Sequence, residues 1–145
     1  MIFCSSALEL ELNSKIIMNN LIVDATRDKI VLTFIVSINI YTCSHENSKI
    51  NFEKMMILIN EFLKNNKSSL DNIDAIYVNR GPGSFAGTRN SLSTIKALFL
   101  TKKIDYYCFS FEDFKESEIN NYVDVPQLCE KYKIKKNLIN PIYLS

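Results

Sequence analysis

The chain has 145 residues, 47% of them hydrophobic and 23% charged, with a formal net charge of +1. That length suits one domain able to bury a core of its own. The near-neutral balance gives no bulk electrostatic pull toward nucleic acid, a membrane surface or an acidic substrate.

Residues 1–17 precede Met18-Asn-Asn and the first convincing strand, and they read as an N-terminal extension or a misplaced start. They contain Glu9 and Glu11 and open without a basic segment, which makes a poor signal peptide. L21-I-V-D24, K29-I-V-L-T-F-I-V36 and S37-I-N-I-Y-T-C43 are β-branched or alternating runs with short connections. They predict three strands of an antiparallel meander, the first turn supplied by T26-R-D28. N51 to N66 changes period: Phe52, Met55, Met56, Ile59, Phe62 and Leu63 fall at helical spacing. I73-D-A-I-Y-V78 predicts a fourth strand, 85–101 a second helix and I104-D-Y-Y-C-F-S110 a fifth strand. F111 to I119 predicts an acidic helix, V125 to K136 is ambiguous, and N140-P-I-Y-L-S145 is a short extended tail. The order β-β-β-α-β-α-β predicts a mixed α/β sheet of five strands with flanking helices.

Cys4, Cys43, Cys108 and Cys129 are widely spaced with no C-x-x-C, so neither a zinc site nor a disulfide framework is indicated. Cys43 and Cys108 lie in apolar runs and read as small buried hydrophobes. A reducing cytoplasm is the matching compartment. No apolar run reaches the roughly 20 residues a membrane span needs.

All three glycines stand in N79-R-G-P-G-S-F-A-G-T-R89, between the fourth strand and the second helix. A tight reversal explains them by itself: glycine admits positive φ, Pro82 stiffens the turn and Ser84 is a good N-cap. Gly81-x-Gly83-x-x-Ala86 also fits the permissive phosphate-loop pattern, which leaves a standalone anion- or nucleotide-binding module using the Gly81–Ser84 amides as an alternative function. No Gly-Lys-Ser/Thr follows, and Pro82 and Ala86 occupy the glycine positions a nucleophile elbow around Ser84 would need. In the helix, Gly87, Ser91 and Thr94 form a stripe of small residues at i, i+4, i+7 that would let another helix approach. Arg89 either anchors the loop by bonding carbonyls or binds an anion.

R80-G-P-G-S-F-A-G-T-R89 closely resembles the G-P-G-S-F-T-G-x-R signature of the TsaB family of bacterial tRNA threonylcarbamoyladenosine biosynthesis proteins. S69 to V78 is similar to that family's run into the signature, L21-I-V-D-A-T26 resembles its opening strand, and N140-P-I-Y-L144 resembles its close. The resemblance is specific over about residues 69–99 and weaker over 21–68. It makes Arg80, Gly81, Pro82, Gly83, Ser84, Phe85, Gly87 and Arg89 the signature loop. It implies a ribonuclease H-like or actin-like (ASKHA) lobe over 18–110, with 111–145 a remnant of a second, largely missing lobe plus a tail. It also implies a non-catalytic, cofactor-free scaffold that pairs with the catalytic relative TsaD and works with the ATPase TsaE on an adenosine beside the tRNA anticodon, contacting tRNA only through the complex. Pairing would use helices 51–66 and 85–101, with Met55, Met56, Ile59, Gly87, Ser91 and Thr94 at the interface; a homodimer through the same helices is the other arrangement they allow. Ala86 departs from the family's usual Thr, and Asn90 and Ser91 stand where small or aliphatic residues are common.

Two catalytic readings fare worse. The catalytic relative holds a metal through paired histidines, whereas His45 is this chain's one histidine and reads as a surface residue. A ribonuclease H-like nuclease needs carboxylates converging on two metals; Asp24 and Glu53 fill two places, but the fourth strand ends Val78-Asn79-Arg80 with no acid and Asp74 lies at its other end. Asp24 instead suits a local cap of the first turn. K131-Y-K-I-K-K136 could touch tRNA phosphate, although alternating lysines more often form a solvated face.

Overall fold

Alternation along the strands sorts their side chains onto two faces, and both faces of the central strands are covered, while the edge strand formed by residues 39–46 is largely exposed. The computed structural model describes residues 18–143. The extension reading for residues 1–17 lies outside the described residues. Strands β1 (Asn20–Asp24), β2 (Lys29–Val36) and β3 (Asn39–Glu46) form the expected antiparallel meander, while β4 (Ala75–Asn79) and β5 (Asp105–Phe109) run parallel to β1. The sheet order is β3-β2-β1-β4-β5. This is the mixed five-stranded α/β sheet expected from the chain order, and it brings the C-terminal ends of β1 and β4 side by side.

One face carries Leu21, Val23, Leu32, Phe34, Ile76 and Val78 against the helices. The helix expected over 51–66 is broken. Helix α1 (Lys49–Glu53) stops at Lys54, and α2 (Met55–Asn65) starts there. Ser48 caps α1 by accepting from the Asn51 amide, a start signal four residues ahead of the first periodic apolar side chain. Helix α3 (Phe85–Lys102) begins at the Ser84 cap and ends on Lys103 in the left-handed conformation. Phe85 falls at helical spacing with Leu92, Ile95 and Phe99, which would place it on the inner stripe. It is instead 54% exposed and packs on Tyr143, ring centroids 4.7 Å apart, because the N-cap geometry turns the first helical residue outward.

The opposite face of the sheet carries Ile22, Ala75, Tyr77 and Phe109. Phe114, Val125, Leu128 and Cys129 cover them. The acidic helix expected over 111–119 does not form. Two single turns, Phe111–Asp113 and Glu116–Glu118, stand there because Ser110 and Asp113 spend their side chains capping the first one. Helix α4 (Val125–Lys131) follows, and Lys136 then bridges back to Tyr107. Residues 114–134 thus pack on the same sheet as the lobe before them. Among the described residues no helix is long and apolar enough to cross a membrane.

Candidate functional site

The meeting of the β1 and β4 ends is where the sequence motifs converge. Asp24 closes β1 and is 1% exposed. Its Oδ1 accepts from the Thr26 amide (2.9 Å) and the Thr26 hydroxyl (2.7 Å). Its Oδ2 accepts from Asn79 Nδ2 (3.0 Å) and the Tyr122 hydroxyl (2.6 Å). Four donors fill the roughly four lone-pair positions of a carboxylate. The local cap expected at this turn is present, joined by two long-range donors that no sequence pattern announces. Burial, and after it the Asp24 charge, holds the Tyr122 hydroxyl above the usual tyrosine range, so it remains a donor.

Asn79 passes the geometry on to the glycine loop, its Oδ1 accepting from the Gly81 amide at 2.9 Å. Gly81 sits at φ +106°, and a Cβ there would stand 2.2 Å from the Ile142 carbonyl oxygen. At Gly83 a Cβ would meet the Thr26 carbonyl oxygen at 2.2 Å, and at Gly87 the Ala25 carbonyl oxygen at 1.9 Å. The β1–β2 turn and the tail press their backbones onto the loop, and only glycine leaves room. The Ser84 amide donates to the Thr26 carbonyl (2.8 Å), and the Ser84 hydroxyl caps α3 through the Gly87 amide (3.1 Å).

This arrangement removes the phosphate cradle. Of the four loop positions 81–84, Pro82 has no N–H, and the Gly81 and Ser84 amides already donate within the chain. The nuclease geometry fails in the same way: the Asp24 oxygens are occupied, and Glu53 is exposed at the end of α1.

The loop's anchoring arginine is Arg80. Its Nη2 and Nε bond Asp113 at 2.7 and 3.4 Å, and Nη1 donates to the Asn140 carbonyl at 3.1 Å. The Ile142 amide returns to the Arg80 carbonyl at 2.7 Å, which stitches the tail beside the loop. Arg89 is exposed and makes no hydrogen bond or ion pair among the described residues.

The interface residues divide. Met55, Ile59 and Ser91 are 0–1% exposed, and Gly87 is buried under Ala25 and Phe52. The small-residue stripe faces the chain's own core, where α3 packs close to β1 and α1; the Ser91 hydroxyl even donates back to the Thr88 carbonyl at 3.0 Å. These four positions are out of a partner's reach. Met56 and Thr94 are half-buried. The outer face of α3 includes Arg89, Ser93, Ala97 and Leu100, the last 66% exposed, and Ile57 is 53% exposed on α2. Spacing alone located an apolar and a small-residue stripe but could not say which side of each helix met the sheet.

The remaining candidates are structural. In the basic run, Lys131 pairs with Glu118 and Lys136 with Asp105 (3.6 Å). The Tyr132 hydroxyl bonds Glu118, and its ring lies 5.5 Å from Phe114, so it is not free to stack on a base. Cys108 and Cys129 are buried thiols, pushed up to about 11 and about 12 by burial; Cys43 is half-buried, and Cys4 lies outside the described residues.

Comparison with known proteins fits this geometry. The family model described as TsaD, tRNA N6-adenosine threonylcarbamoyltransferase, matches residues 46–110. A curated relative, the tRNA threonylcarbamoyladenosine biosynthesis protein TsaB of Buchnera aphidicola subsp. Baizongia pistaciae (strain Bp), is 34% identical over 83 residues, covering 50% of this chain and 38% of that protein. Over these residues the chain is similar to a TsaB protein. Two solved structures share this fold at 17% identity and a TM-score of 0.59. They are YeaZ from Pseudomonas aeruginosa and a protein from the same organism described as uncharacterized with similarity to peptidase YEAZ. Each alignment covers 64% of this chain, and 44% and 43% of those chains respectively. The chain thus spans well under two thirds of the relatives it matches.

Proposed function

We propose that this chain is a non-catalytic subunit that pairs with a TsaD-type threonylcarbamoyltransferase in the modification of the tRNA adenosine next to the anticodon. The observation that carries this reading is the saturated strand-end site. Asp24 and the loop amides, the groups an enzyme on this fold would turn toward substrate or metal, are spent on hydrogen bonds inside the chain. What the chain offers outward includes exposed Leu100 and Ala97 on the outer face of α3 and Ile57 on α2, which suits contact with another protein. The similarity to a TsaB protein and the match to the TsaD family model over 46–110 support this pathway and this partner. A TsaE-type ATPase and tRNA would be met through that complex, and a cytoplasmic location goes with such a role.

The test is co-expression with the TsaD-type protein of the same organism, followed by size exclusion. Wild type should co-elute with it. Leu100→Arg, a change at an exposed position, should elute alone with an unchanged circular dichroism melt. Wild type that is folded yet elutes apart from the enzyme would sink the proposal.

A further inference from the structure

Arg89 was singled out by the sequence and left unused by the loop. It stands at one rim of a groove of about 360 Å³ between α3 and the C-terminal tail. Leu92, Ala97 and Leu100 form the floor, and Ile139 and Tyr143 of the tail form the far wall. Lys96 stands at the rim seven residues from Arg89, two helical turns or roughly 10 Å along the same face. Of the described lysines and arginines, Arg80, Lys102, Lys131 and Lys136 have carboxylate partners and the others have none. Neither Arg89 nor Lys96 has one among the described residues; the Lys96 ammonium lies 5.4 Å over the Phe99 ring instead. No acidic side chain lines the groove. The result is an apolar trough with a positive rim and no ion-pair partner for it among the described residues.

We propose that this groove seats an apolar segment of the TsaD-type partner flanked by carboxylates, the apolar side chain entering between Leu100 and Tyr143 while the acids meet Arg89 and Lys96. The inference rests on the pairing proposed above and adds the chemistry of the seat. Charge complementarity names the occupant: an uncharged apolar helix would satisfy the floor but leave both cations unmatched at the rim, where opposite charge sets register and association rate. The tail is then one wall of the seat, held against the glycine loop by Arg80.

The experiment measures affinity of the full chain for the TsaD-type protein by calorimetry at low and high salt, with Arg89→Glu/Lys96→Glu and Leu100→Asp beside wild type. Rim pairs are each modest, so reversing both charges should weaken binding roughly ten-fold or more at low salt and flatten its salt dependence. Leu100→Asp should remove detectable binding, and melting curves should match wild type for both variants. If the double reversal binds with wild-type affinity and salt slope, the groove is not the seat, although pairing stands. If folded wild type does not bind at all, the pairing itself fails. If sedimentation instead shows a homodimer that the double reversal dissociates, a second copy is the occupant and the assignment to TsaD is overturned.

Discussion

The Tyr122 hydroxyl donates to Asp24 at 2.6 Å across 98 residues of chain. This one bond ties the layer on the back of the sheet to the end of its first strand, and it completes the set of donors around a carboxylate that has no cationic partner among those donors. Tyr122→Phe keeps the ring and removes the donor. A hydrogen bond to a charged group contributes about 1.5–3 kcal/mol, so denaturant unfolding should show a loss of that size. A midpoint equal to wild type would mean that the carboxylate does not need its fourth donor.

Gly83→Ala and Gly87→Ala should each prevent stable folding. The added Cβ meets backbone oxygens at 2.2 and 1.9 Å, and a carbonyl in a paired turn has no rotamer to move to. A cost above about 4 kcal/mol, in the exceptional range for single substitutions, is expected and would appear as insoluble or molten protein. Ala86→Thr, next to Gly87 on the exposed side of the helix, should stay within about 0.5 kcal/mol.

Ser91→Arg should unfold the chain rather than disrupt a partner contact. Ser91 is fully buried and its hydroxyl donates to the Thr88 carbonyl, so a guanidinium there would place a charge in a space that now holds one hydroxyl. Loss of the cooperative melt in the isolated chain distinguishes this from an interface effect.

Stability should fall above about pH 9. Burial raises the Cys108 thiol to about 11 and Cys129 to about 12, the latter with smaller contributions from Asp113 and Cys108. The folded state therefore holds two protons that the unfolded state releases from its ordinary thiol pKa upward. Their contribution is complete below that pKa and disappears as pH rises toward the folded values. Urea midpoints at pH 7.5, 9 and 10.5 should decline, and Cys129→Ala should decline less steeply. An equal slope for the two proteins would assign the alkaline loss to other groups.

Much of this molecule was legible in its sequence, and the rest was hidden for identifiable reasons. Apolar and β-branched runs gave β1 and β2, alternation gave β3, further apolar runs gave β4 and β5, and Ser84 announced the start of α3. The break at Lys54 left no trace because the apolar spacing continues through it. Residues 111–119 looked helical by composition, yet two single turns stand there, the first closed by capping side chains. The stripe of Gly87, Ser91 and Thr94 was seen, but which flank of a helix meets a sheet is decided by contacts distant in sequence. Arg89 drew attention by standing in the signature, while Arg80, which holds the loop, works through Asp113 and Asn140, 33 and 60 residues away. Tyr122 had no signal at all, since its partner is the far end of the chain's first strand.

The three glycines oppose three carbonyls, those of Ile142, Thr26 and Ala25. A carbonyl is present whatever side chain its residue bears. The restriction therefore falls on one side of each contact only: among relatives, positions 81, 83 and 87 should hold glycine while 25, 26 and 142 drift without compensating changes. A covariation search would pass over this junction, because one partner never varies and the other is free to. It is also a signature that survives heavy sequence decay, since nothing at the opposing positions has to be kept for the fit to persist.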